Sequence, residues 1–179
     1  IDPTYRIADF FESYQIPLTL FVNVTEVMAY ERYDLPAAQV YTSQLRDLHK
    51  RGHDIQLHFH PQWLDYRRKD GQWLNESLIS YATQSLDYHQ WYDALVSCRD
   101  WLTEITKEVP TAYRAGGYCI EPLDTNMQVL SQIGIKCDSS LHGRDAQPYK
   151  IGDILEVPIY GDSLGRWDMS GRMKDAAYL

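Results

Sequence analysis

Residues 52–63, which read GHDIQLHFHPQW, decide the fold of this chain. Apolar and polar residues alternate strictly from Asp54 to His60, and this period of two predicts a β-strand with one apolar and one polar face. Because successive side chains of a strand point to opposite faces, His58 and His60 project from the same face, about 6.5–7 Å apart at the backbone. Pro61 has no N–H to donate, so the strand ends there.

Two interpretations of this histidine pair are open at this point. In the first, both imidazoles bind one metal ion at roughly 2.0–2.1 Å each, at the carboxyl end of a strand, where α/β proteins place their sites. In the second, the histidines belong to a polar strand face and hydrogen-bond to neighbouring residues. The spacing alone does not decide between them.

Length and composition limit the class of protein. The 179 residues are 44% hydrophobic, enough for a sizeable core, and we expect one domain over residues 1–179. The net charge of −8 argues against nucleic acid and anionic membranes as partners. The sequence contains no run of the about 18 apolar residues that a membrane span needs. Three cysteines without metal-like spacing indicate free thiols in a reducing compartment, so we expect a cytoplasmic location.

Helical and strand-like patterns alternate along the rest of the chain. Apolar residues at helical spacing predict helices near residues 5–16, 35–51, 80–108 and 127–133. Strand-like stretches lie at residues 18–24, 54–60, 112–114, 135–138 and 154–159. Residues 65–75 have loop composition and predict a surface excursion after the histidine strand. The alternation, with short connections, predicts an α/β fold with parallel strands in an open sheet or a barrel.

Three stretches resemble, in the right order, motifs of the polysaccharide deacetylases, the NodB-like carbohydrate esterases of family 4. Residues 16–22 (IPLTLFV) resemble a strand that usually reads ATFFV, residues 52–61 resemble the second motif, and residues 113–118 (YRAGGY) resemble the arginine motif. The resemblance extends from Asp2 to about Asp138. It implies a distorted (β/α) barrel with about seven strand-helix units in the full domain. This chain would then lack the first strand and some C-terminal elements.

The resemblance also implies a reaction and a site. Members of the family remove acetyl groups from acetylated sugars with metal-activated water, and a carboxylate and two histidines hold the metal. These ligands correspond to Asp2, His58 and His60, with Asp2 either ligand or catalytic base. Arg114 resembles the arginine that keeps a catalytic carboxylate ionised and oriented, and Asp138 is a further catalytic candidate. The ligand set suits Zn²⁺, and Co²⁺, Ni²⁺ and Fe²⁺ accept the same ligands.

The chain departs from the family pattern at three points. The family usually has three residues between its two histidines, whereas only Phe59 separates them here, which we interpret as the mark of a subgroup with a short HxHP motif. The first family motif is a pair of aspartates, so we expect another aspartate just before Ile1. The late motif with a catalytic-acid histidine does not occur after Tyr160. His142 would replace it only if its loop folds back, which we do not expect.

Three functions are compatible with these observations. The favoured one is a metal-dependent deacetylase acting on an acetylated glycan in bacterial surface polysaccharide biosynthesis. The second is a non-catalytic deacetylase-like domain that binds a glycan or a protein partner; the missing late histidine favours it and the histidine pair opposes it. The third is a metal-dependent hydrolase of another substrate, since HxH also ends strands in other (β/α) barrel hydrolases. There the first strand carries the HxH, whereas a strand and two helices precede it here. The sequence does not predict the oligomeric state.

Other residues have structural interpretations beside functional ones. His53 lies on a helix-to-strand turn, so we expect it to cap or pack. His89 lies on a helical pattern and is expected to be exposed or to pack. Trp63, Tyr66 and Trp73 either stack on sugar rings or cover the end of the barrel.

Overall fold

A computed structural model describes residues 3–75, 86–142 and 147–159, together with the backbone of residues 166–167 and 173–174. The α-helices in these ranges are α1 (Pro3–Glu12), α2 (Val24–Tyr33), α3 (Leu35–Lys50), α4 (Tyr88–Thr106) and α5 (Leu123–Gln132). The strands are β1 (Thr19–Asn23), β2 (Asp54–Phe59), β3 (Tyr66–Lys69), β4 (Gln72–Asn75), β5 (Ala112–Ala115), β6 (Cys137–Asp138), β7 (Tyr149–Ile151), β8 (Ile154–Glu156), β9 (Arg166–Trp167) and β10 (Met173–Lys174). In the described ranges no helix has the length and apolar character needed to span a membrane.

Six strands form the central sheet, in the order β1-β2-β5-β6-β8-β7. The first five run parallel, and β7 pairs antiparallel with β8. The predicted α/β fold with parallel strands is therefore confirmed. Parallel strands end at one edge of a sheet, and the register places Asn23, His58 and Arg114 next to one another there. Two further pairs, β3-β4 and β9-β10, lie outside this sheet.

The apolar face of the histidine strand packs against α4. Leu57 and Phe59 are fully buried, as is Tyr113 on the neighbouring strand β5. The Trp91 ring of α4 contacts the rings of Phe59 and Tyr113, with centroids 5.0 and 6.1 Å apart. Burial of each such side chain contributes about 1.5–3 kcal/mol. This packing fixes β2 so that His58 and His60 face away from the core.

The turn into β2 is held by a buried histidine. Gly52 has φ 95°, a left-handed conformation that suits the end of α3. His53 is buried, and its Nδ1 accepts a hydrogen bond from the Leu18 N–H at 3.1 Å. Its Nε2 lies 2.9 Å from Glu12 Oε1 and donates to it. The packing role predicted for His53 is confirmed.

Helix α1 is present where the apolar pattern predicts a helix, but its apolar stripe does not face the core. Ile7, Phe10 and Tyr14 are 53%, 58% and 65% exposed, whereas Ala8 is fully buried. The helix packs through this small residue, and ion pairs from Asp9 and Glu12 to an arginine after α3 hold it in place. The apolar stripe therefore lies on the exposed side of the helix in the described part of the chain.

The loop prediction for residues 65–75 is wrong, because these residues form the hairpin β3-β4. Asp70 and Gly71 lie at its turn with φ of 51° and 78°. Two left-handed residues are what a tight hairpin turn requires, and an Asp-Gly pair is the sequence signal for it.

The long helix predicted over residues 80–108 corresponds to α4, which begins at Tyr88. Asp87 caps this helix by accepting a hydrogen bond from the backbone N–H of Gln90. Residues 80–85 lie outside the described part of the chain.

Candidate active site

A pocket of about 360 Å³ lies at the carboxyl ends of β1, β2 and β5. Its lining combines the histidine pair with the arginine motif and consists of Phe21, His58, His60, Arg114, Ala115, Gly117 and Tyr118. Three of the site residues expected from the sequence, His58, His60 and Arg114, are thus brought together in one pocket.

His58 is oriented by the backbone of the neighbouring strand. Its Nδ1 lies 2.7 Å from the carbonyl oxygen of Arg114 and donates to it, since that oxygen can only accept. The lone pair of the neutral ring is therefore on Nε2. Burial, together with the charge of Arg114, lowers the pKa of His58, so the ring is neutral at neutral pH. A neutral imidazole held by a carbonyl at its other nitrogen is the usual state of a metal ligand.

His60 lies against His58, with ring centroids 4.6 Å apart and ring planes at 85°. The hydroxyl of Thr25 donates to its carbonyl oxygen at 2.9 Å. Burial and the neighbouring His58 lower its pKa to about 4. The buried amide of Gln62 contacts its Nδ1 through Nε2 at 3.0 Å. As placed, this N–H group donates to Nδ1. With the amide oxygen and nitrogen exchanged, Oε1 would accept from Nδ1–H and leave the lone pair of His60 on Nε2.

A short 3₁₀ turn over Gly116–Tyr118 closes the pocket beside His60. A Cβ on Gly116 would lie 2.5 Å from the carbonyl oxygen of Phe59 and 2.9 Å from the His60 ring, so only glycine fits. The tight turn predicted at the two glycines is confirmed. Tyr118, on the pocket rim, contacts the ring of His142, with centroids 4.6 Å apart. His142 thus contacts a residue of the pocket lining but does not itself line the pocket.

The guanidinium of Arg114 is fixed by three contacts. It stacks on the Phe21 ring, with Cζ 4.3 Å from the centroid. Nε donates to the carbonyl oxygen of Ser139 at 3.0 Å, and Nη2 donates to its hydroxyl at 2.9 Å. Within residues 3–75, 86–142 and 147–159, no Asp or Glu forms an ion pair with Arg114. In the described pocket this side chain is a positive charge without a carboxylate beside it.

Of the two carboxylates expected from the sequence, Asp138 is not among the described residues that line this pocket. Asp2 lies outside the described residues, so its role as ligand or base stays a prediction. Asp138 is fully buried and is the register partner of Tyr113, which places it on the opposite face of the sheet from Arg114. No group of three His, Cys, Asp or Glu side chains is placed to hold a metal in the described part of the chain. The histidine pair is the part of the predicted ligand set that the structure describes.

Three polar residues that contact the site residues were not predicted: Thr25, Gln62 and Ser139. Thr25 and Gln62 contact His60, and Ser139 contacts Arg114. Ser and Thr are common in loops and on surfaces, so no sequence pattern distinguishes these positions. Gln62 carries a weak signal, because it follows His60 within the HPQW ending.

The aromatic residues after β2 pack against one another. Trp63 stacks on Tyr66 with centroids 4.4 Å apart, and Trp73 contacts Trp63 edge-on at 5.3 Å. Trp73 also contacts Tyr30 of α2 at 5.1 Å. These contacts attach the β3-β4 hairpin to α2, which gives the three aromatics a structural role. Stacking on sugar rings stays a prediction.

The structure defines the class of protein: a mostly parallel α/β domain whose strand ends hold a histidine pair and an arginine. A family model described as polysaccharide deacetylase matches residues 2–137. The chain therefore belongs to the polysaccharide deacetylase family.

Two crystal structures share this fold. One is of a Mycobacterium smegmatis protein designated a polysaccharide deacetylase, with a TM-score of 0.59 and 20% identity over 97% of this chain and 51% of that one. The other is of Puue allantoinase, with a TM-score of 0.58 and 22% identity over 89% of this chain and 44% of that one. At these identities the likeness shows the fold alone, and it confirms the NodB-like fold class. The chain spans about half the length of both proteins. No curated protein matches the sequence.

Proposed function

We propose that the protein is a metal-dependent hydrolase that removes acetyl groups from an acetylated carbohydrate, in bacterial surface polysaccharide biosynthesis. The observation that carries this proposal is the pair of neutral imidazoles, His58 and His60, beside the guanidinium of Arg114 in one pocket. Membership of the polysaccharide deacetylase family supports the reaction type. A cytoplasmic location remains a further prediction, and the free state of all three cysteines agrees with it.

The residues present fit a divalent metal, with Zn²⁺ the favoured ion and Co²⁺, Ni²⁺ or Fe²⁺ as alternatives. His58 and His60 would hold it through Nε2, and Asp2 would supply the carboxylate. The carbonyl oxygen of Arg114 keeps the His58 ring in the orientation that this requires. Gln62 would do the same for His60 with its amide oxygen turned toward Nδ1. When bound, a divalent ion supplies Lewis-acid activation of water and of the acyl carbonyl.

Arg114 has two roles in this proposal. Its positive charge keeps a nearby carboxylate ionised, and it stabilises negative charge that develops on the acyl oxygen. Ser139 and Phe21 hold the guanidinium in place before substrate arrives, so little reorganisation is needed. The pocket volume lies in the lower part of the range of small-molecule sites, roughly 300–1,000 Å³, and suits one acetylated sugar unit.

Acetate release by the full-length protein is the test of this function. We expect release from at least one member of a panel of N-acetylated and O-acetylated glycans. Release should stop with a chelator and return when Zn²⁺ is added, because water activation needs the ion. Release that is insensitive to the chelator in a metal-free sample would overturn the metal dependence. Glycan binding without release from any member of the panel would favour the non-catalytic alternative.

Substitution of Gln62 tests how His60 is held. We expect Gln62→Leu to lower metal affinity about 10–100-fold, as for other residues that orient a metal-binding histidine. Leucine fills a similar volume but cannot accept the Nδ1 proton of His60. Gln39→Leu, at an exposed position on α3, is the matched control and should leave affinity unchanged. Calorimetric titration with Zn²⁺ measures both, and equal affinity of Gln62→Leu and the wild type would show that Gln62 does not orient the ring.

A further inference from the structure

Asp138 and Glu156 form a buried carboxyl pair behind the pocket wall. They are register partners on the adjacent parallel strands β6 and β8, so their side chains lie side by side on one face of the sheet. Both residues are fully buried. Oδ1 of Asp138 accepts from the Ser140 hydroxyl at 2.6 Å, and Oε1 of Glu156 accepts from the Leu141 N–H at 3.1 Å. The other two oxygens, Oδ2 and Oε2, are buried without a hydrogen-bond donor in the described part of the chain.

One proton explains both unsatisfied oxygens. Two ionised carboxylates buried side by side would repel each other, and each would keep a buried oxygen without a hydrogen-bond donor. A proton shared between Oδ2 and Oε2 removes the repulsion and satisfies both atoms. Burial and the neighbouring Asp138 raise the pKa of Glu156 to about 8, and burial also raises the pKa of Asp138. The pair therefore carries a single negative charge at neutral pH.

As pH rises, the shared proton is lost before those of the neighbouring titratable side chains. The titratable and charged groups that interact with the pair are Tyr113 and Arg114 on β5 and Cys137 on β6. Burial, with the charge of Asp138, raises the pKa of Tyr113 and that of Cys137 above their ordinary values. Arg114 attracts the single negative charge of the pair.

Hydrogen bonds connect the pair to the pocket through residues 139–141. The Ser140 hydroxyl, which donates to Asp138, accepts from the backbone N–H of Ala115 at 2.8 Å. Ser139, the preceding residue, holds the guanidinium of Arg114 through its carbonyl oxygen and hydroxyl. Glu156 accepts a hydrogen bond from the backbone N–H of Leu141, the residue after Ser140. The backbone turn that positions Arg114 is thus fixed on both sides by the carboxyl pair.

We propose that Asp138 and Glu156 share one proton and act as a positioning pair that holds Ser139, and through it Arg114, in the pocket. Asp138 is then a positioning residue that acts behind the pocket wall. The proposal goes beyond the reaction proposed above and does not depend on it, because the contacts of Arg114 with Ser139 exist whatever substrate binds.

Infrared spectroscopy of the full-length protein tests the shared proton. We expect a protonated carboxyl band at neutral pH in the wild type, and its loss in Glu156→Gln and in Asp138→Asn. Each amide keeps the hydrogen bond within the pair but carries no acidic proton. Glu108→Gln, at an exposed position, is the control and should keep the band. A wild-type spectrum without the band, or a band that survives both amide variants, would overturn the proposal.

Stability as a function of pH gives an independent measurement. The pKa of Glu156 is raised on folding, so between its usual value of 4.5 and about 8 the folded protein holds a proton that the unfolded chain has lost. Stability therefore falls as pH rises through this range and levels off above it. Glu156→Gln has no such proton, so its urea midpoint should rise relative to the wild type with increasing pH. A difference that stays constant with pH would contradict the shared proton.

The positioning role is tested on Arg114 itself. In Glu156→Ala, we expect the Nε–H of Arg114 to exchange with water about tenfold faster than in the wild type, measured by NMR. Glu156→Gln should restore slow exchange, because its amide carbonyl still accepts from the Leu141 N–H. If Glu156→Ala does not fold, Ser140→Ala replaces it, since that change cuts the link between Asp138 and Ala115. Unchanged Arg114 exchange in whichever of these two variants is folded would overturn the positioning role.

Discussion

His58→Ala and His60→Ala are each expected to abolish binding of a divalent metal and the release of acetate, while the protein stays folded. Each change removes one of the two imidazoles of the proposed metal site, and one histidine with one carboxylate does not hold the ion tightly. We expect affinity to fall by more than about 100-fold, beyond the effect of losing a residue that only orients a ligand. Metal content after gel filtration and calorimetric titration with Zn²⁺ measure this loss.

The fold should survive these changes because β2 is held by its other face. Leu57 and Phe59 remain buried against α4, and the strand keeps its backbone pairing with β1 and β5. Loss of the His58 hydrogen bond to the Arg114 carbonyl costs about 0.5–1.5 kcal/mol. His89→Ala, at an exposed position on α4, is the matched control and should keep full metal binding. Full metal occupancy in both His58→Ala and His60→Ala would rule out the proposed ligands.

Local patterns predicted the part of the site that lies on one strand and one turn. Burial of Ile55, Leu57 and Phe59 imposes the alternation that identifies β2. His60 lies one residue beyond the strand but keeps an extended conformation, with φ −119° and ψ 101°, so the alternation continues and both rings reach the same pocket. The short HxH spacing therefore brings the two rings together. The glycine turn was predicted equally well, because the close approach of Gly116 to His60 leaves no room for a Cβ and Gly117 has a left-handed backbone that favours glycine.

The remaining features depend on contacts between distant parts of the chain. The apolar stripe of α1 predicts a buried face, yet Ile7 and Phe10 are exposed in the described part of the chain, and α1 is joined to Arg51 by ion pairs. A single glutamate in a strand is usually exposed, so nothing in the sequence indicates that Glu156 is buried. Only the register between β6 and β8 places it beside Asp138. Asp138 does not reach the pocket because side chains alternate between the two faces of a strand. Its register with Tyr113 places it on the face opposite Arg114.

Arg114→Ala is expected to lower kcat about 10²–10³-fold, the usual effect of removing a fixed group that stabilises developing negative charge. Arg114→Lys should recover little of this loss. An ammonium group cannot donate to both oxygens of Ser139 while lying flat on the Phe21 ring, so its charge is present but not held in place. Arg99→Lys, on the surface of α4, is the matched control and should leave kcat unchanged. Near wild-type kcat in Arg114→Lys would show that charge alone is sufficient.

The Arg114 variants also separate the roles of side chain and backbone at this position. The contact that orients His58 comes from the carbonyl oxygen of Arg114, which a side-chain substitution leaves in place. Metal affinity in Arg114→Ala should therefore stay within about threefold of the wild type even though activity is lost, since less than about 1 kcal/mol is removed from the ligand site. The histidine variants should lose metal and activity together. A large loss of metal from Arg114→Ala would mean that the guanidinium is needed to hold the ligand set, and that its effect on kcat is indirect.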